Sequence, residues 1–114
     1  MEKNLINYSD FEKIDIRLGT VIEAENYDNL KNPSIVLKVD FGNEIGIKKT
    51  SAQLRKNYKI SDLINMQVIA VVNFPPKQIG KISSEVLILG FPDDHEEAIL
   101  VSPQKKLKNG LRLY

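Results

Sequence analysis

Residues 73–91, Asn-Phe-Pro-Pro-Lys-Gln-Ile-Gly-Lys-Ile-Ser-Ser-Glu-Val-Leu-Ile-Leu-Gly-Phe, limit the possible folds more than any other stretch of the chain. Pro75 and Pro76 carry no backbone donor and hold φ at about −65°, so Phe74-Pro75-Pro76 must end the strand before it and set its exit direction. Lys77, Gln78 and Lys81 follow on a short tether, with Gly80 as a joint. An apolar strand, Glu85 to Phe91, comes next. The segment therefore reads either as a basic loop presenting polar groups to a partner or as a solvated hairpin loop.

Elsewhere the pattern is mostly period two, with short helical interruptions. Ser9-Asp10-Phe11-Glu12 has the form of a capping box with Ser9 as N-cap, which predicts a short N-terminal helix. Ile14, Ile16 and Leu18 alternate with Asp15 and Arg17, and Gly19 is a candidate bulge that bends this strand. Ile35, Leu37, Val39 and Phe41 share one face of the next strand, and Gly42-Asn43 reads as a hairpin turn into Glu44–Lys48. Ser61 is the expected N-cap of a second short helix. Gln67–Phe74, Glu85–Phe91 and Ala98–Val101 complete the strands. The expectation is an all-β fold with short helices, a five-stranded Greek-key barrel of the oligonucleotide/oligosaccharide-binding (OB) type, with an N-terminal helix and a C-terminal extension. The length of 114 residues suits one domain over residues 1–114.

Within that barrel, a strand running on through Lys49 would turn this lysine inward with Ile45 and Ile47. An unpaired buried ammonium is costly, so the strand is expected to end or bulge near Lys48 and to leave Lys49, Thr50, Ser51 and Gln53 at the barrel rim. Phe41, Phe74 and Phe91 each end a strand, just before Gly42, Pro75 and Pro92, and read as plugs closing the barrel rather than as stacking platforms for bases. With no tryptophan and four scattered tyrosines, binding of nucleic acid would rest on folded RNA shape and phosphate. The same rim, lined by Ile79, Ile82 and Leu87, could instead hold an apolar peptide.

Charge is unevenly spread although the net is only +1. Residues 1–30 hold three cations against seven carboxylates, residues 38–59 six against two, and residues 85–97 five carboxylates with no Lys or Arg. Such segregation favours a polyanion on one side, or simply two solvated faces. The absence of cysteine excludes a disulfide framework and thiolate chemistry. The N-terminus shows no apolar leader, and the longest apolar run, Val68–Val72, is too short for a bilayer. No membrane insertion and a cytoplasmic location are expected.

Catalysis finds little support. The single histidine, His95, lies in Asp93-Asp94-His95-Glu96-Glu97, which reads as a hydrophilic turn. No phosphate-binding glycine loop or nucleophile elbow is present. The chain is read as a binder rather than an enzyme, with no cofactor and no metal.

Four blocks carry a resemblance: Asp10–Gly19, Asp40–Gln53, Val71–Gly80 with Asn73-Phe74-Pro75-Pro76-Lys77-Gln78-Ile79-Gly80, and Ser84-Glu85-Val86-Leu87. Together, from about Ser9 to Gly110, the chain resembles the CsaA-type chaperones, part of the wider group of tRNA-binding domains that occur free or appended to methionyl- and phenylalanyl-tRNA synthetases. The resemblance implies a homodimeric barrel, an export-related chaperone activity toward unfolded or preprotein peptides, and affinity for tRNA. In the wider group the rim contacts the outer corner of tRNA, which carries over to Ser84 and Leu87 and, more weakly, to Lys48, Lys49, Asn73 and Lys77. Ser51 and Gln53 join that tRNA-binding set from their rim position. Phe74, Pro76, Ile79, Ile82 and Leu87 form the candidate peptide site. One departure stands out: an Asn-Pro-x-Ala-Asp-Lys-Leu type loop is replaced here by Tyr27-Asp28-Asn29-Leu30-Lys31-Asn32-Pro33-Ser34, which weakens the RNA contact made through that loop. Leu5, Ile6, Phe11, Leu107, Leu111 and Leu113 lie outside the barrel strands and are the candidate dimer interface, or else they cap their own barrel.

Overall fold

A computed structural model describes residues 4–28 and 33–114; Asn29, Leu30, Lys31 and Asn32, the centre of the divergent loop, lie outside them. β1 (Ile16–Tyr27) organises the main sheet. Its first part pairs antiparallel with β4 (Gln67–Val71), while Thr20–Tyr27 pairs with β2 (Ser34–Asp40). β2 also pairs with β3 (Ile47–Ala52) and β4 with β7 (Leu87–Ile88), so five strands follow the order β3-β2-β1-β4-β7. One long strand thus serves both halves of a curled sheet, and the fold is the all-β OB type expected from the alternation.

Inside the curl lie Val21, Leu37, Val39, Phe41, Val68 and Ala70, all with no measurable exposure. Leu63, from the short helix α3 (Ile60–Leu63) that links β3 to β4, joins them. Gly19 lies against this core. A Cβ there would come within 2.6 Å of Val39 and 2.7 Å of Phe41, so the glycine admits the Phe41 ring rather than bending the strand. The register shift in β1 instead falls between Val21 and Glu23.

Other local expectations are corrected by the backbone. Helix α1 (Tyr8–Glu12) starts earlier than Ser9 suggested: Asn7 is the N-cap, and Asp10 Oδ2 accepts the Asn7 N–H at 3.0 Å. Lys59, not Ser61, caps α3, with Asp62 Oδ2 accepting its N–H at 2.9 Å. In both cases the carboxylate three residues on takes up an orphan donor, which fixes the start. Gly42-Asn43 is not a two-residue turn but opens a one-turn helix α2 (Gly42–Ile45), with Asp40 Oδ1 accepting the Gly42 N–H at 2.9 Å. That extra turn resets the alternation of β3. Lys48 is paired with buried Val39 and Lys49 with exposed Lys38, so the strand neither ends nor bulges and Lys49 points away from the core.

After Val71 the chain leaves the sheet, short of the expected Phe74. It forms a two-stranded hairpin of β5 (Lys77–Ile79) and β6 (Ile82–Ser84) and returns as β7. The expected Glu85–Phe91 strand is broken, because β8 (Gly90–Pro92) peels off to pair with β9 (Ala98–Leu100). Of the three supposed plugs only Phe41 is buried; Phe74 is 53% and Phe91 69% exposed.

The C-terminal segment is stitched along the start of β1, where β2 has already departed. Leu18 N–H donates to Leu111 O at 3.0 Å, Gly110 N–H to Leu18 O at 2.7 Å, and Leu113 N–H to Ile16 O at 2.9 Å. Gly110, at φ +92°, is required here, since a Cβ would come within 2.6 Å of the Phe41 carbonyl oxygen. Arg17 anchors the same corner, with Nε on Asp15 at 2.6 Å and Nη1 on Glu44 at 2.8 Å and on Gly110 O at 3.0 Å.

Candidate binding groove at the barrel seam

The barrel closes between β3 and the Ser84–Ile88 segment, and it closes largely through side chains. Glu85 N–H donates to Lys49 O at 2.8 Å, and Lys49 N–H is taken by Glu85 Oε1 at 2.9 Å rather than by a carbonyl. Ser51 N–H donates to Ser84 Oγ at 3.1 Å; Ser84 Oγ and Thr50 Oγ1 are 3.1 Å apart, and Thr50 Oγ1 donates to Val86 O at 2.9 Å. Each hydroxyl owns one proton, so the bonds run in one direction: Ser51 N–H to Ser84, Ser84 to Thr50, Thr50 to Val86 O. No buried side-chain nitrogen or oxygen among the described residues is left without a partner.

Outside this seam lies an open groove of about 490 Å³. Its floor is Thr50, Ser51 and Ala52 of β3 with Ser84, Glu85 and Val86; Leu87 and Ile88 form one wall, and Phe74, Pro75, Lys77 and Ile79 the other. The groove exists because the chain leaves the sheet after Val71, Pro75 and Pro76 keep it from re-entering as a strand, and the β5–β6 hairpin then runs beside the closure instead of completing it. Half-exposed Phe74 and Leu87 face solvent across it.

The residues singled out in the sequence separate in space. Ser51, Phe74, Lys77, Ile79, Ser84 and Leu87 come together in the groove. Pro75 lines it and Pro76 does not; Ile82 pairs with Ile79 on the hairpin without lining it. Lys49 borders a different cleft on the outer face of the sheet, with Lys38, Glu23, Val36 and Ile64, where Lys38 is bound to Glu23 at 3.2 Å. Gln53 lines a third hollow with Arg55, Lys56 and Glu97. Lys48, half-buried on the inner-facing side of β3, lines neither. The side chain of Asn73 is committed to structure: its oxygen accepts Asp15 N–H at 2.9 Å and its amide donates to Lys13 O at 2.7 Å. Ser84 is buried and its hydroxyl is spent on the seam.

Glu85, Val86, Ile88 and Pro75 are groove residues that the sequence reading passed over. Period-two alternation could have placed Glu85 with Leu87, but Glu85 sits where the strand is interrupted. Of the predicted dimer residues, Leu5 is 95% and Ile6 73% exposed, Leu107, Leu111 and Leu113 line a hollow of about 420 Å³ with Leu18, Ile69 and Tyr114, and Phe11 is half-buried, with its ring 6.1 Å from that of Tyr8.

Among the described residues no cluster of His, Cys, Asp or Glu could hold a metal, and no helix is long and apolar enough to cross a membrane. Barrel, seam and groove together define a small OB-fold module with an open groove along its closure. Residues 16–112 match the family model described as putative tRNA binding domain. Chaperone CsaA from Bacillus anthracis superposes with a TM-score of 0.91 at 42% identity, covering 97% of this chain and 100% of that one. CsaA chaperone protein from Picrophilus torridus superposes with a TM-score of 0.88 at 44% identity, covering 96% and 100%. The chain therefore belongs to the tRNA-binding-domain family and is of the CsaA type. Methionine–tRNA ligase from Pyrococcus horikoshii is 36% identical over 112 residues, 98% of this chain but 15% of the ligase. The chain spans only such a small fraction of the curated relatives it matches, 14% in the case of the Thermococcus onnurineus ligase.

Proposed function

We propose that this protein, as one domain over residues 1–114, is a CsaA-like chaperone that acts in the cytoplasm as a homodimer. It binds unfolded or preprotein peptides in export and also binds tRNA. The observation that carries the reading is the seam groove. An extended segment laid along it would meet Phe74, Ile79, Val86, Leu87 and Ile88, while Lys77 at the mouth offers a charge to flanking carboxylates or to phosphate. Burying a leucine side chain in such a groove contributes about 1.5–3 kcal/mol, enough for weak, exchangeable capture of an unfolded chain. The full-length similarity to two CsaA structures supports the same reading.

The tRNA reading is supported by the family match and by the cations bordering the seam. Lys49 lies opposite Glu85 across the closure and Lys77 is paired with Ser84, while their side chains border separate hollows, Lys77 the groove and Lys49 the outer cleft. A dedicated tRNA-binding protein recognising the outer corner of tRNA is the alternative. Salt separates the two: RNA affinity falls steeply as salt rises because counterions are released, whereas apolar peptide capture changes little. Lys49→Glu is expected to weaken tRNA binding strongly in a titration at low salt and to leave peptide affinity within about threefold, since Lys49 borders the outer cleft and not the groove. Unchanged tRNA affinity in that variant would refute the RNA site, and wild-type protein that binds no unfolded peptide would refute the chaperone reading.

A further inference from the structure

The outer wall of the groove is a two-stranded hairpin, and a pair of strands without further support is marginally stable in water. Its base is held by the Ser84 hydroxyl within the seam. Its tip is the two-residue turn Gly80-Lys81 between paired Ile79 and Ile82, with Gly80 at φ +59°. In such a turn the N–H of the second central residue has no ladder partner and projects outward. Here Lys81 N–H donates to the Tyr27 hydroxyl at 3.1 Å. Among the described residues, and apart from the hairpin's own ladder to Ser84, this is the one hydrogen bond joining residues 77–83 to the rest of the molecule, because the Gln78 amide turns back onto Gly80 O at 2.8 Å. Tyr27 is the last residue of β1, the strand shared by both halves of the sheet, so the hydroxyl ties the tip of the hairpin to the end of that strand.

We infer that Tyr27 is a positioning residue that sets the width of the groove and thereby its selectivity among apolar side chains. This rests on the groove being the peptide site proposed above. Ile79 and Lys77 ride on the hairpin and line the groove, whereas Leu87 and Ile88 belong to the main sheet. The gap between the walls therefore follows the hairpin's position. With the tip fixed, the gap has one width and favours a side chain that fills it; with the tip free, contact is lost most for large side chains.

The test uses the full chain and Tyr27→Phe, which keeps the ring and removes only the hydroxyl. Two labelled unfolded peptides, alike except for a central Leu or Ala in a Gly/Ser background, are titrated against both proteins. The Leu peptide is expected to bind about fivefold more weakly to the variant, mainly through faster dissociation, and the preference for Leu over Ala to narrow. The Lys81 amide is expected to exchange faster with deuterium while the unfolding midpoint stays unchanged. Lys81→Pro removes the donor from the other side, at a residue whose φ is not positive. In combination with Tyr27→Phe it should weaken the Leu peptide no further than either change alone. Additive losses, or faster exchange at Lys81 with affinity and selectivity unaltered, would overturn the positioning role. Unaltered exchange would show that the clamp does not hold the tip. Wild-type protein that binds neither peptide would instead refute the groove as a peptide site, and with it the selectivity role, while the exchange rate at Lys81 would still decide whether the clamp holds the hairpin.

Discussion

Asp93 shows how one side chain converts an acidic run into structure. Its Oδ1 accepts the N–H of His95 at 2.8 Å and of Glu97 at 2.9 Å, and its Oδ2 accepts the Asn57 amide at 3.0 Å. The Glu97 backbone bond first, then Asn57 and His95, hold the carboxyl below its ordinary value of 3.8, because each favours the charged form. The folded-state pKa is thus the lower one. The stabilisation it gives the β8–β9 turn is fully present above 3.8 and is lost as pH falls through the depressed value. Carboxyl NMR should find Asp93 titrating below 3.8, and Asn57→Ala should raise its midpoint toward that value; a midpoint at 3.8 or above in the wild type would contradict the network. The sequence marked residues 93–97 as a hydrophilic turn, which they are. It could not single out Asp93, whose partner Asn57 is remote in the chain. The same limit applies at Lys49, where the strand was expected to end or bulge near Lys48 and instead runs on, because the helical turn at Gly42–Ile45 shifted the parity of all that follows.

Strands and hairpins behaved according to how local their determinants are. β2 pairs with the strand after it as expected, its own apolar residues two apart committing one face to the core, but that strand is Ile47–Ala52 rather than Glu44–Lys48 and its Ile47 faces outward. The stretch Glu85–Phe91 did not stay one strand, although Val86–Leu89 is an unbroken apolar run. Its middle pairs with β4 and its end with β9, two different partners that pull it into two sheets. The seam depends on such divergence, because side chains close the barrel where the backbone ladder does not continue. Ser84→Ala removes the acceptor for Ser51 N–H and the donor to Thr50 together, and the hairpin base loses its anchor. A buried donor left unsatisfied costs about 1–3 kcal/mol. Urea denaturation should show that loss for Ser84→Ala with the slope unchanged; a loss well below this would mean that water replaces the hydroxyl and that the seam is looser than its geometry.

For the molecule as a whole, the apolar surface left outside the barrel is what points to a second copy. Leu107, Leu111 and Leu113 gather with Leu18, Ile69 and Tyr114, while Leu5 and Ile6 stand nearly free. A contiguous apolar patch on a small protein marks a contact surface more often than idle exposure. Sedimentation equilibrium is expected to give a dimer for the wild type and a monomer for Leu111→Glu with Leu113→Glu, at unchanged circular dichroism. A monomeric wild type would mean that these leucines only cover their own barrel. At this scale the division between sequence and structure is plain. Period-two alternation and the two consecutive prolines sufficed to determine an all-β barrel, because each acts through neighbours a few positions away in the chain; the interruption of the closing strand did not follow from them. The groove itself was decided only by tertiary structure. Its walls come from a hairpin, a barrel edge and a strand end, and its anchors join Ser84 to Thr50 and Ser51, Glu85 to Lys49 and Lys81 to Tyr27. Contacts between such distant residues form only once the sheet has curled, so local pattern could name Phe74, Ile79 and Leu87 of the groove's apolar residues but not Val86 or Ile88, nor the hydrogen bonds that hold the groove in place.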